Sequence, residues 1–226
     1  MMDHEPDLRN FDNVSRLFPL PDFVMFPHVI LPLHIFEPRY RQMTADALAG
    51  DSLITMIQIA SPPQGNQWTE PVPLERVGCL GRIVQHDRLA DGRYNLLLLG
   101  LKRVRLRQEI PSGKLYRIAE VELLQDIDPH QPQEPARAEL TRLFRQMLES
   151  RSRLDADIDE LLRKPVSLGL LCDIMAHSLP LPAALKQSLL EQTSVDRRLE
   201  IVLSILRQIS SGERRSSPFP PPFSMN

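Results

Sequence analysis

Five prolines, Pro19, Pro21, Pro27, Pro32 and Pro38, interrupt an otherwise apolar run over residues 17–40, LFPLPDFVMFPHVILPLHIFEPRY. Each proline lacks a backbone donor and fixes φ, so neither one long helix nor one central strand can run through the segment. The run must break into short extended pieces: a strand over 17–20, a bend at Pro27-His28, and a second extended run over 29–33. Glu37-Pro38 then opens a helix, because a proline at the first helical position loses no hydrogen bond.

The chain beyond alternates between strand and turn signals. Tyr40, Met43, Ala47 and Leu48 recur at helical spacing before Gly50, which stands where a C-cap belongs. Residues 52–60, SLITMIQIA, are rich in β-branched side chains and predict a strand buried on both faces. Residues 61–75 hold four prolines and the single tryptophan, Trp68, and read as a long functional or mobile loop. Strands follow over 76–86 and 94–99, joined by an Asp91-Gly92 hairpin turn. Arg103, Arg105 and Arg107 then alternate with Val104 and Leu106, a period of two that puts the arginines on one face. Leu101-Lys102 breaks that parity and predicts a bulge near Gly100. After Pro111-Ser112-Gly113, residues 116–124 form the last of six or seven strands, which closure into a small bent barrel would protect from edge pairing.

Residues 126–135, DIDPHQPQEP, change the composition to polar and proline-rich. Helical stripes succeed them: Leu140, Leu143, Phe144, Met147 and Leu148, then Val195, Leu199, Val202, Leu203, Leu206 and Ile209. Shorter helices are expected over 165–177 and 182–191. The expected organisation is an α+β chain: a disordered tail over 1–13, a β pseudo-barrel lobe with one helix over 14–126, a linker over 127–135, a helical lobe over 136–211, and a disordered proline-rich tail over 212–226.

Several motifs in this order are familiar. Phe18-Pro19-Leu20, Met25-Phe26-Pro27 with Ile30-Leu31-Pro32-Leu33 behind it, and the helix entry Phe36-Glu37-Pro38-Arg39-Tyr40 come first. Val77-Gly78-Cys79-Leu80-Gly81-Arg82-Ile83, the hairpin at 89–94, the strand opening Leu99-Gly100-Leu101-Lys102-Arg103-Val104, and Leu179-Pro180-Leu181-Pro182 follow. Together, over roughly residues 15–210, they resemble the amino-terminal, substrate-binding domain of the Lon protease family. The resemblance implies a PUA-like pseudo-barrel followed by a helical bundle, and protein recognition in the service of proteolysis. It also implies a stand-alone form with neither family activity. Gly113-Lys114 lacks the first glycine and the hydroxyl of an ATPase phosphate loop, and no serine–lysine peptidase domain has a counterpart here.

Composition narrows the function further. The 226 residues are 42% apolar and 25% charged, with a net charge of −2, so no global field draws nucleic acid or anionic membrane. Cys79 and Cys172 stand in no CxxC or zinc spacing, and the polar amino terminus lacks the parts of a signal peptide, which predicts a cytoplasmic protein. The histidines complete no metal set, and Cys172 and His177 fall on different helix faces, so no catalytic residue, metal or cofactor is expected.

Phe23, Met25, Phe26, Ile30, Phe36 and Tyr40, with Trp68 in the long loop, are the candidate peptide-binding residues, since flexible apolar side chains and a free strand edge suit varied extended segments. Their expected partners are unfolded or apolar protein segments, with a protease or chaperone downstream. The alternative is an RNA-binding face of Arg103, Arg105 and Arg107, which lacks the interleaved aromatics that base stacking uses.

Overall fold

The computed structural model describes residues 8–60, 71–131, 133–150 and 156–211. The expected loop core with Trp68 and the proline-rich tail lie outside them. In chain order the elements are β1 (Val14–Leu20), β2 (Ile30–Ile35), α1 (Pro38–Leu48), β3 (Leu53–Gln58), β4 (Val77–Arg88), β5 (Tyr94–Ile110) and β6 (Ile118–Leu123), then α2 (Glu134–Ser150), α3 (Ala156–Arg163), α4 (Leu168–Ser178), α5 (Ala183–Glu191) and α6 (Val195–Ser210). The class is α+β, as the sequence predicts.

The six strands form one mixed sheet in the order β2-β5-β4-β3-β1-β6, and a further β5–β6 pairing folds it back on itself. Closure is irregular because β5 serves two neighbours in turn. Its first part, from Tyr94 to Leu99, pairs with β2, and its last part, from Val104 to Ile110, pairs with β6. The change of partner falls at the predicted bulge, where the register against β4 jumps from Leu80↔Lys102 to Gly81↔Gly100 and leaves Leu101 over. A strand that must bend between two neighbours needs such an extra residue.

The prolines sit where a missing donor is harmless. Pro19 lies in the part of β1 that pairs with β3, beyond the 14–16 section held by β6, and its carbonyl accepts from the Tyr40 hydroxyl at 3.4 Å. Pro32 lies in β2, which pairs with β5 and, among the described residues, with no other strand. Pro38 opens α1 as expected. The bend holds His28 at φ 66° and ties to β5, with His28 N–H donating to the Gly100 carbonyl and Gly100 N–H to the Val29 carbonyl, each at 2.8 Å.

Helices α4 and α6 begin where a serine caps them: the Ser167 and Ser194 hydroxyls accept from the N–H groups of Leu170 and Arg197. That cap moves the start of α4 from the expected Pro165 to Leu168. Residues 8–13, expected as tail, carry Leu8 and Phe11 packed against the cluster of Leu53, Leu80, Leu101, Val104 and Val121. A second cluster, with Phe18, Met25, Tyr40, Met43, Ile54 and Leu98, joins the sheet to α1. The largest crosses between lobes: Val24, Phe26, Val29, Val77 and Leu124 of the β lobe pack with Leu140, Phe144, Met175, Leu199 and Val202 of the helices. The helical lobe therefore covers the sheet with continuous core.

Candidate functional site

The proline-punctuated stretch divides its aromatic and aliphatic side chains between core and surface. Met25, Phe26 and Tyr40 are buried, so these three candidates serve packing; Phe18 and Tyr40 rings meet with centroids 4.4 Å apart. Phe23 is half-buried at the seam, its ring edge-on to His177 of α4 at 6.4 Å. Ile30 and Phe36 are 56% and 60% exposed. Trp68 lies outside the described residues.

Ile30 and Phe36 belong to one surface. Strand periodicity puts Ile30, Pro32 and His34 on the same face of β2, opposite Leu31, Leu33 and Ile35, which point inward. The register Ile30↔Leu99, Pro32↔Leu97 and His34↔Asn95 extends that face onto β5. His34 is anchored there, its Nδ1 donating to Asn95 Oδ1 at 2.7 Å and its Nε2 accepting from Arg93 Nη1 at 3.3 Å. Phe36 stacks on the imidazole at 6.2 Å, and Val84, at the second bulge of β4, is a further exposed apolar side chain. The face thus carries Ile30, Pro32, Leu97 and Leu99 with a polar pair, His34 and Asn95, toward Phe36, and it borders a strand edge whose outer backbone groups no described strand takes.

Two residues beyond Phe36 the chain makes a cleft of about 350 Å³, lined by Pro38, Arg41, Gln42 and Ala45 of α1 and by Arg88, Gly92 and Tyr94 of the β4–β5 hairpin. The Arg88 guanidinium lies 5.8 Å over the Tyr94 ring. Arg41 passes over Gly92, where φ is +81° and an added Cβ would stand 2.1 Å from its Nη2. No single sequence motif links Arg41 to Arg88; the hairpin turn at Gly92 brings them together.

The arginine row of β5 does not present one solvated face. Arg103 is 3% exposed and forks onto Asp173 of α4, with N···O distances of 2.8 and 2.5 Å, while its Nε donates to the Leu190 carbonyl of α5 at 2.8 Å. Arg198 of α6, 1% exposed, donates to both oxygens of Asp126 and lies 3.6 Å from Asp173. Asp126 also reaches Arg103 at 3.4 Å, so two cations and two carboxylates form one electroneutral network across the lobes. Burial, the largest effect, would lower the Arg103 pKa, but Asp173 and Asp126 outweigh it and the net direction is upward. Gly169 gives α4 room, since a Cβ there would meet both Arg198 Nη2 and Asp126 Oδ2 at 3.0 Å. Arg105 and Arg107, further along the row, emerge to solvent and both pair with Glu122.

Reactive groups are buried or dispersed. Burial pushes the Cys79 and Cys172 thiols up to about 12, so neither supplies a thiolate near neutrality. His177 is held below the usual histidine value by burial first and by Lys186 second. Among the described residues no three His, Cys, Asp or Glu side chains gather to hold a metal ion, and no helix is long and apolar enough to cross a membrane.

Comparison with known proteins agrees with this fold. Residues 14–208 match the family model of the ATP-dependent protease La (LON) substrate-binding domain. A Lon protease of Xanthomonas oryzae pv. oryzae is 29% identical over 192 residues, and Lon protease 2 of Syntrophobacter fumaroxidans 27% identical over 199. These alignments cover 84% and 88% of this chain but 22% and 25% of the relatives, so the chain spans about a quarter of their length. Among solved structures, a Lon N-terminal domain protein from Xanthomonas campestris superposes with a TM-score of 0.63 at 26% identity, over 84% of this chain and 97% of the other. The N-terminal domain of Mycobacterium avium complex Lon protease reaches 0.65 at 19% identity, over 86% and 98%, a likeness of fold. Both solved structures are described as amino-terminal Lon domains.

Proposed function

Since the chain belongs to the family of the Lon substrate-binding domain, we propose that it is a non-catalytic recognition module that binds exposed apolar segments of client proteins on the outer face of β2 and β5. The observation that carries this reading is the pair Ile30 and Phe36, large apolar side chains left in solvent beside an unpaired strand edge. Alternate side chains of an extended client would settle on Ile30, Leu97, Leu99 and Phe36, while its backbone meets the free edge of β2. Pro32 removes one donor from that edge, which limits indiscriminate pairing with other strands. Phe23, at the seam against His177, adds a second apolar contact. In this reading, delivery of the client to a protease is the downstream event. The nucleic-acid alternative has little support, since Arg103 is buried and Arg105 and Arg107 share Glu122.

Fluorescence anisotropy with labelled extended apolar peptides tests the proposal. Each anchor is already half-desolvated, so Ile30→Asp or Phe36→Ala is expected to weaken binding by about 1 kcal/mol, close to fivefold, without loss of thermal stability. Affinities that ignore both substitutions would place the clients elsewhere and sink this reading.

A further inference from the structure

The apolar face ends at a cationic cleft, and the two together define a more particular client. Ile35 pairs with Tyr94 and ends β2, and Phe36, Glu37 and Pro38 then carry the chain from the face of Ile30 and His34 into the wall of the cleft lined by Arg41, Gln42, Arg88, Gly92 and Tyr94. Neither guanidinium forms an ion pair among the described residues: Arg88 rests on Tyr94, and Arg41 lies near Asp91, which is itself bound to Arg93. No acidic residue lines the cleft. The first turn of α1 carries no acidic side chain beyond its N-cap residue Glu37, whose carboxylate is taken by Arg39. The remaining arginines near the face, Arg39 and Arg93, are matched by Glu37 and Asp91. Positive charge is thus left uncompensated at one end of an otherwise apolar surface.

Resting on the client-binding reading above, we propose that the preferred client is an extended apolar segment flanked by a carboxylate side chain, Asp or Glu, with the apolar residues on β2 and β5 and the carboxylate between Arg41 and Arg88. A fork of guanidinium donors suits a carboxylate, and the neighbouring Gln42 amide supplies a further donor. The assignment explains why an apolar face should border unmatched cations at all: the first gives affinity, the second selects orientation and register.

Two labelled peptides of one apolar sequence, differing in a single flanking Glu or Gln, are titrated by anisotropy at low and moderate salt against the full chain and against Arg41→Gln/Arg88→Gln. The Glu peptide is expected to bind the full chain about three- to tenfold more tightly at low salt, with the advantage shrinking as salt rises. In the double variant the advantage disappears while the Gln peptide binds as before. Equal binding of both peptides to the full chain overturns this inference and leaves the client reading standing. Failure of both peptides to bind overturns both readings. A single-stranded oligonucleotide that binds more tightly than the Glu peptide, and loses that affinity in the same variant, would reassign the cleft to phosphate. Arg88 is exposed and Arg41, half-buried over Gly92, belongs to no core cluster, so thermal midpoints of the variant close to the parent's are expected.

Discussion

Removing the Arg103 guanidinium leaves Asp173 buried with Arg198 as its remaining neighbour, at 3.6 Å, and strips the Leu190 carbonyl of its donor. Breaking one partner of a buried pair costs far more than replacing the pair, because the survivor keeps its desolvation penalty. Arg103→Met should therefore destabilise by about 3–5 kcal/mol, whereas Arg103→Met/Asp173→Leu, which leaves Arg198 on Asp126, should recover much of that loss in urea unfolding. A single variant as stable as the parent would deny the network its role. His177 gives a pH signature of definite sign. Its folded pKa lies below the ordinary 6.5, so its contribution is fully present above that value and is lost as pH falls through the folded pKa. Comparing urea midpoints of the parent and His177→Gln below about pH 6.5 should show the shallower acid slope in the variant. Cys79 and Cys172 should resist alkylation at neutral pH until the chain unfolds, which mass spectrometry with a thiol reagent reads directly.

At the scale of elements, the turn after β1 depends on a close backbone approach. A Cβ at Gly100 would stand 2.3 Å from the Phe26 carbonyl oxygen and 3.2 Å from Cys79 Sγ, and Gly100 also exchanges hydrogen bonds with the His28–Val29 bend. Gly100→Ala should cost about 1–3 kcal/mol and loosen the bend that leads into β2, seen as faster amide exchange at His28 and Gly100. Most elements were legible in the sequence, because prolines, the Asp91-Gly92 turn and period-two alternation are local signals; α3 (Ala156–Arg163), which carries none of these signals, was not. The broken parity at Leu101-Lys102 even located the bulge. The environment of the arginine row was not legible. Alternation says which side chains share a face of β5, but not that helices seventy residues further on cover that face at Arg103 and leave it open at Arg105. The clue that could have found the network lies in α6 and α4: Arg198 interrupts the apolar spacing from Val195 to Leu199 and Val202, and Asp173 interrupts LGLLCDIMAHS. The same limit applies to the candidate site, where Met25 and Ile30 look alike in sequence and only the sheet's inside and outside tell them apart.

At the scale of the molecule, one core and one ion network span both lobes, so the lobes are expected to unfold together. Native-state amide exchange should give α4 and the middle of β5 the same opening free energy, with a single urea transition. Separate openings would mean that the contacts between Phe26, Val77 and the helices contribute little. A protein organised in this way also keeps the proposed binding face outside its core clusters: Ile30, Phe36 and Arg88 are exposed and Arg41 is half-buried over Gly92.

The long strand β5 has a practical corollary. A fragment cut after residue 126 would retain all six strands, yet Arg103 would lose both Asp173 and the Leu190 carbonyl, and Val24, Phe26, Val29 and Val77 would face water. Such a piece would be sticky and prone to precipitate, so whoever trims this protein for crystallisation or grafting should carry the helices along with the strands they roof.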